Sequence, residues 1–359
     1  MVNCEDSSKT QLPSLDEKIG EMLMVGFKGF ALSDTSHLIR DITEYHAGGV
    51  ILFDYDVPSR TPNRNIENAD QVAQLNRNLT ELTDRPLFIA VDQEGGRVAR
   101  LKTSRGFPEH RSAQELGDLD NVDTTRYYAS NMAELLSNLG FNVNFAPVVD
   151  VNTNPENPII GVLERSFSDD PGMVVKHSEI FLDEFSKKHV LGVLKHFPGH
   201  GSAWNDSHLG MADVTDTWDD IELFPYRELA KTDQQFGVMT AHDFNEKWDT
   251  EDPATLSYYV QTELLRNEIG FDGVLFSDDM QMDAIRAFYG LETAILKAIN
   301  AGVDVLVFAN NSVYDPEIVP KAVSIIKSLI DEGLISEERI DESYRRIKHQ
   351  KSILTDGNN

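Results

Sequence analysis

Short apolar runs recur along the chain, each closed by polar residues and separated from the next by a stretch with helical periodicity. The runs are Met22–Phe27, Gly49–Phe53, Leu87–Val91, Val143–Val149, Val190–Leu194, Gly237–Thr240, Gly273–Phe276 and Val303–Phe308. Brief, nearly unbroken apolarity of this kind marks strands buried on both faces. Between them Ala69–Leu82, Thr124–Leu139, Pro171–His189, Ser257–Ile269 and Leu291–Ala301 read as helices, the last stopped by Gly302. Ser14 is placed to cap a first helix, with Glu17 at the capping-box spacing. Val313–Leu354 reads as helical, with polar faces. About eight βα units in one uninterrupted series predict an α/β fold of the TIM-type (β/α)8 class, a single barrel domain over 15–354 with C-terminal helices. Residues 1–14 and 355–359 read as flexible tails. A doubly wound open sheet is the alternative. Its phosphate loop is missing after the first run, where Gly26-Phe27-Lys28-Gly29-Phe30 lacks the three-glycine spacing, and no Walker-type sequence occurs. Two long loops rich in Pro and Asn, 54–68 and 151–170, interrupt the pattern.

Composition narrows the function classes. A chain of 359 residues, 40% hydrophobic and 26% charged, can bury a full core. The balance of 32 basic against 60 acidic residues gives −28, which argues against nucleic acid or an anionic membrane as partner. No apolar run approaches the ~20 residues that span a bilayer, and no signal-peptide core stands at the start. The single cysteine, Cys4, excludes an internal disulfide and a cysteine-rich metal site. Its polar setting suits an ordinary terminus as well as the tether of a lipoprotein whose leader has been cut away. A cytoplasmic and a secreted location both remain open.

The candidate chemistry gathers where strands end. In a parallel barrel these ends share one mouth, and here they carry Asp54, Asp92, Asp150, Lys195, His196, His242, Asp278 and Asp279. Asp150 and Asp279 would serve equally as helix caps or loop braces, and Asp54 is set aside. After the fifth run comes Lys195-His196-Phe197-Pro198-Gly199-His200-Gly201, a stretch whose proline and glycines forbid helix and ladder alike. Further on, Asp206 and His208 flank a single serine, a spacing at which a carboxylate can hold an imidazole as a proton shuttle. Three readings fit. One is retaining glycoside cleavage, with Asp278 attacking the anomeric carbon and His208, supported by Asp206, donating the proton. A second is a metal-dependent hydrolase using His196, His200, His208 and His242, against which no His-x-His pair ends the first strand and no His-Glu-x-x-His helix occurs. The third is a barrel that binds sugar without cutting it.

The same segments resemble family 3 of the glycoside hydrolases, in its single-domain β-N-acetylglucosaminidase branch. The resemblance is carried by Lys195–Gly201 with Asp206-Ser207-His208, and by Asp92-Gln93-Glu94-Gly95-Gly96-Arg97-Val98-Ala99-Arg100. Phe145–Val151, Glu164-Arg165-Ser166-Phe167 and Gly270–Met280 extend it in the family's order. It implies an exo-acting, retaining enzyme without metal or other cofactor, acting on terminal β-linked N-acetylglucosamine of an oligosaccharide or peptidoglycan fragment. Asp278 is then the nucleophile and His208, with Asp206, the acid/base. Asp92, Arg165, Lys195 and His196 would grip the terminal sugar, with Arg100 in support and His242 lining the mouth, while His200 shapes the loop. The second domain carried by many family members is not expected within this length, which disfavours a β-glucosidase or β-xylosidase. Phosphorolysis is a further outcome open to an imidazole acid/base.

Overall fold

The computed structural model describes residues 12–205 and 210–355. Eight parallel strands form the barrel: β1 (Leu23–Gly26), β2 (Gly49–Ile51), β3 (Phe88–Val91), β4 (Val143–Asn144), β5 (Leu191–Phe197), β6 (Phe236–Thr240), β7 (Leu275–Phe276) and β8 (Leu306–Phe308). Each pairs with its neighbours in chain order, β1 pairs with β8, and a parallel bridge from Phe276 to Val305 joins the last two strands. All eight expected runs became strands, and the barrel stands in place of the open sheet. Phe276 packs against Phe88 and Phe145 at 5.8 and 5.6 Å between ring centres, so the interior is filled with side chains rather than hollow.

Two strand ends differ from the sequence expectation. The run Val143–Val149 forms continuous ladder only over Val143–Asn144; Pro147 has no N–H to give, and pairing resumes at a parallel bridge from Val148 to Lys195. The fifth strand runs on to Phe197, so Lys195 and His196 stand within β5 rather than beyond it. Pro198 ends it, and the register against β6 shifts between Leu194 and Phe197. Helices begin and end near the expected positions. Ser14 forms the full capping box with Glu17, its amide 2.8 Å from the Glu17 carboxylate. Helix Leu291–Ala301 matches its expected limits, and the C-terminal region divides into Ile318–Asp331 and Glu337–Thr355.

The barrel's N-terminal end is closed by this last helix. Lys351, fully buried, reaches Glu21 at 2.5 Å and the Gly48 carbonyl at 2.7 Å. Chemistry is thereby left to the opposite mouth. No helix among the described residues is long and apolar enough to cross a membrane.

Candidate active site

A cavity of about 270 Å³ opens at the C-terminal ends of the strands. Its floor is apolar, built from Ile51, Phe145, Met239 and Val307 of the barrel interior. Its walls carry Asp92, Glu94, Arg100, Arg165, Lys195, His196, His200, His242, Asp278 and Asp279. Seven of the nine residues singled out from sequence as site residues thus meet in one cavity. The other two, Asp206 and His208, lie outside the described residues.

One wall is an ion lattice. Lys195 Nζ stands 2.8 Å from Asp92 and 2.7 Å from Glu94, and the Arg165 guanidinium makes two 2.8 Å hydrogen bonds to Glu94. Arg100 donates to the second oxygen of Asp92 at 3.2 Å and stacks on Phe53. Burial by itself would raise the Asp92 carboxyl, but Lys195 and Arg100 hold it well below the usual carboxylate range. Glu94 is likewise lowered against burial, by Arg165 and Lys195. Fixed, ionised groups of both signs suit the hydroxyls of a sugar, which both donate and accept.

Glu94 is the site residue that sequence reasoning passed over. Residues Gln93–Gly95 and Val98–Ala99 form a small hairpin turned by Gly95 and Gly96, both at positive φ. Along an extended segment alternate side chains share a face, so Asp92 and Glu94 enter the cavity together. Gln93 turns away, accepting the amides of Arg100 and Leu101 at 3.0 Å each. The period-two spacing of the acids was the available signal.

Behind the ion lattice stand two histidine–aspartate pairs in opposite protonation states. Asp150 accepts the backbone amides of His196 and His200 at 3.0 and 2.8 Å and binds His196 Nδ1 at 2.7 Å. Its carboxyl is lowered to about 2: burial opposes ionisation, and His196 more than compensates. Burial dominates for His196 itself, so its pKa falls and the ring is neutral. Nδ1–H then donates to Asp150, leaving Nε2 to accept from Arg165 at 3.3 Å. His200 also resists charge through burial, yet Asp243, at 2.6 Å from Nδ1, raises it to about 9. His200 therefore places a cation at the cavity wall.

Asp278 follows β7, half-buried at the cavity wall. Its amide meets the Thr240 hydroxyl at 3.4 Å, and its Oδ1 accepts the Asp279 amide at 2.7 Å. Asp279 is a brace, accepting the amides of Gln281 and Ala309 at 3.0 Å. His242 bears on the same turn. Its Nε2 donates to the Asp279 carbonyl at 3.0 Å while Nδ1 meets Thr255 Oγ at 2.8 Å. Among the described residues, no group of three or more His, Cys, Asp or Glu is arranged to hold a metal ion.

Residues 14–349 match the glycosyl hydrolase family 3 N terminal domain. A beta-hexosaminidase A of Pseudoalteromonas piscicida is 34% identical over 336 residues, 87% of this chain and 54% of that protein. A beta-hexosaminidase of Mycobacterium tuberculosis is 32% identical over 344 residues, covering 93% of this chain and 82% of the relative. Among solved structures, a family 3 beta-N-acetylglucosaminidase from Paenibacillus superposes with a TM-score of 0.86 at 35% identity, over 96% of this chain and 63% of that one. The chain thus spans about half the length of the first relative. A match over so much of the chain places it plainly: the chain belongs to family 3 of the glycosyl hydrolases.

Proposed function

We propose that this chain is an exo-acting, retaining glycoside hydrolase that removes terminal, non-reducing, β-linked N-acetylglucosamine. The observation that carries the reading is the closed-floored cavity that Asp278 lines together with the Asp92–Lys195–Glu94–Arg165 lattice. A pocket blocked below by barrel side chains admits a chain end rather than a chain interior, which is exo action. The relatives' names, hexosaminidase and N-acetylglucosaminidase, support the choice of sugar.

The roles follow from the chemistry. The Asp278 carboxylate attacks the anomeric carbon as the glycosidic bond breaks, and His208 gives its proton to the leaving oxygen. His208 then takes a proton from water, which attacks the same carbon and releases Asp278. Asp206 orients the imidazole and supports its charged form. The Asp279 amide fixes the orientation of the Asp278 carboxylate. Asp92, Arg100, Arg165, Lys195 and His196 bind the terminal sugar, and His242 holds the turn that carries Asp278. The substrate is a peptidoglycan fragment or a chitin-like oligosaccharide, and the reaction draws on no cofactor.

A panel of aryl β-glycosides tests this directly. The N-acetylglucosaminide is expected to give the highest kcat/KM. A clear preference for glucoside or xyloside overturns the choice of sugar, and turnover of none of them overturns the enzymatic reading.

A further inference from the structure

One buried acid in this region has no part in the mechanism above. Glu222, in the short helix Asp220–Leu223, is fully buried beneath the turn Pro198–Gly201. Its Oε2 accepts the Gly201 amide at 2.7 Å. The turn is shaped around it. A methyl group on Gly199 would stand 2.5 Å from Glu222 Cβ, and one on Gly201 only 1.7 Å from the Val151 carbonyl oxygen and 3.2 Å from Glu222 Oε2. The two glycines of the Pro-Gly-His-Gly stretch are thus the space that the glutamate and the strand-end backbone occupy. The chain on one side of this turn carries Lys195 and His196, and its centre carries His200.

The electrostatic setting is unusual for a buried carboxyl. From the segment after β4 it faces Asp150, and from the segment after β6 it faces Asp243. The helix Phe224–Leu229 brings Tyr226, and the turn itself brings His200, whose charge is already committed to Asp243. What eases a charge on Glu222 is the Gly201 amide on its Oε2. Burial first, and the two aspartates after it, push its pKa up to about 8.

We propose that Glu222 is a positioning residue, a neutral carboxyl seated under the Pro198–Gly201 turn that keeps Lys195, His196 and His200 in register with Asp278. Loss of its proton to solvent places a third carboxylate beside Asp150 and Asp243 and unseats the turn. The enzyme then loses activity in alkaline solution through its loop, in addition to any titration of the acid/base. The proposal rests on the glycosidase reading for its kinetic consequence alone.

Glu222→Gln is the decisive variant, since it keeps an oxygen to accept the Gly201 amide and carries no proton to lose. Assayed with whichever aryl glycoside the wild type cleaves, it is expected to match wild-type kcat/KM at pH 6 within roughly threefold. The ratio of wild-type to variant kcat/KM should then fall as pH rises through about 8. Glu222→Ala, which removes the seat, should lose on the order of 10²-fold. A second reading needs no substrate, so a wrong sugar assignment leaves it intact. A carboxyl raised from 4.5 to about 8 makes wild-type stability decline between those pH values, because only the unfolded chain has released the proton. Thermal melts of wild type should fall more steeply across that range than those of Glu222→Gln, whose remaining slope belongs to other groups such as His200. A kcat/KM ratio constant with pH, identical melting profiles, or a fully active Glu222→Ala each overturns the proposal.

Discussion

Lys195 is held between Asp92 and Glu94, and Arg165 grips Glu94 from the other side, so no member of this lattice changes alone. Glu94→Gln leaves two buried cations short of one counter-charge. Breaking a buried pair from one side costs roughly 3–5 kcal/mol, and part of that should appear as a lower melting temperature. KM should rise more than kcat falls, because the role proposed for the lattice is to bind sugar and not to react. Equal KM for wild type and variant would remove Glu94 from the binding wall. His208 makes a different prediction. His208→Ala should slow glycosides with poor leaving groups by roughly 10²–10⁴-fold, while activated aryl glycosides suffer far less. Equal losses across a leaving-group series would assign the acid to another residue. Sequence reasoning reached Asp92, Lys195 and Arg165 through strand ends and resemblance. It missed Glu94 because that residue stands past the strand end, in a hairpin whose alternation is visible only once the Gly95–Gly96 turn is recognised.

At the level of elements, β5 and its turn do most to build the site. A lysine and a histidine interrupt the apolar run after Leu194, which predicts that the chain leaves the barrel at Lys195. The strand in fact continues to Phe197, and Asp150 makes this possible by satisfying the His196 amide and ring together. Tertiary partners, not local propensity, carry the strand past Leu194, and Pro198 then stops it. The same environment splits two neighbouring imidazoles. Histidine ¹⁵N spectra at pH 7.5 should show His196 neutral with its proton on Nδ1, and His200 as imidazolium. The pKa of His200 is raised from 6.5 to about 9, so the stability it lends is complete below 6.5 and fades as pH climbs through 9. Two neutral rings at pH 7.5 would contradict the assignment of Asp243 as its partner.

Across the whole molecule the division of labour is between two ends of one barrel. The N-terminal end is sealed by the buried Lys351–Glu21 pair and the final helix, and the mouth holds the ionisable residues. This plan was legible in the sequence because eight apolar runs of strand length alternate with helical stretches and the first run lacks the phosphate loop of a doubly wound sheet. The lengths of β4 and β5 were less legible, since they depend on a proline and on side chains distant in the chain. A surface with a net charge of −28 repels itself. Raising neutral salt from 0.1 M to 1 M shortens the screening length from about 10 to about 3 Å and should raise the melting temperature. A fall would mean that attractive surface pairs outweigh the repulsion.

The central claim is that Asp278 forms a covalent bond to the sugar it releases. A slow N-acetylglucosaminide substrate with an activated leaving group, followed by rapid acid quench and peptide mass mapping, tests it most directly. The account predicts one N-acetylglucosaminyl adduct, carried by the peptide that contains Asp278 and absent from Asp278→Ala. An adduct on another carboxylate, or efficient turnover by Asp278→Ala with no adduct at all, would contradict it.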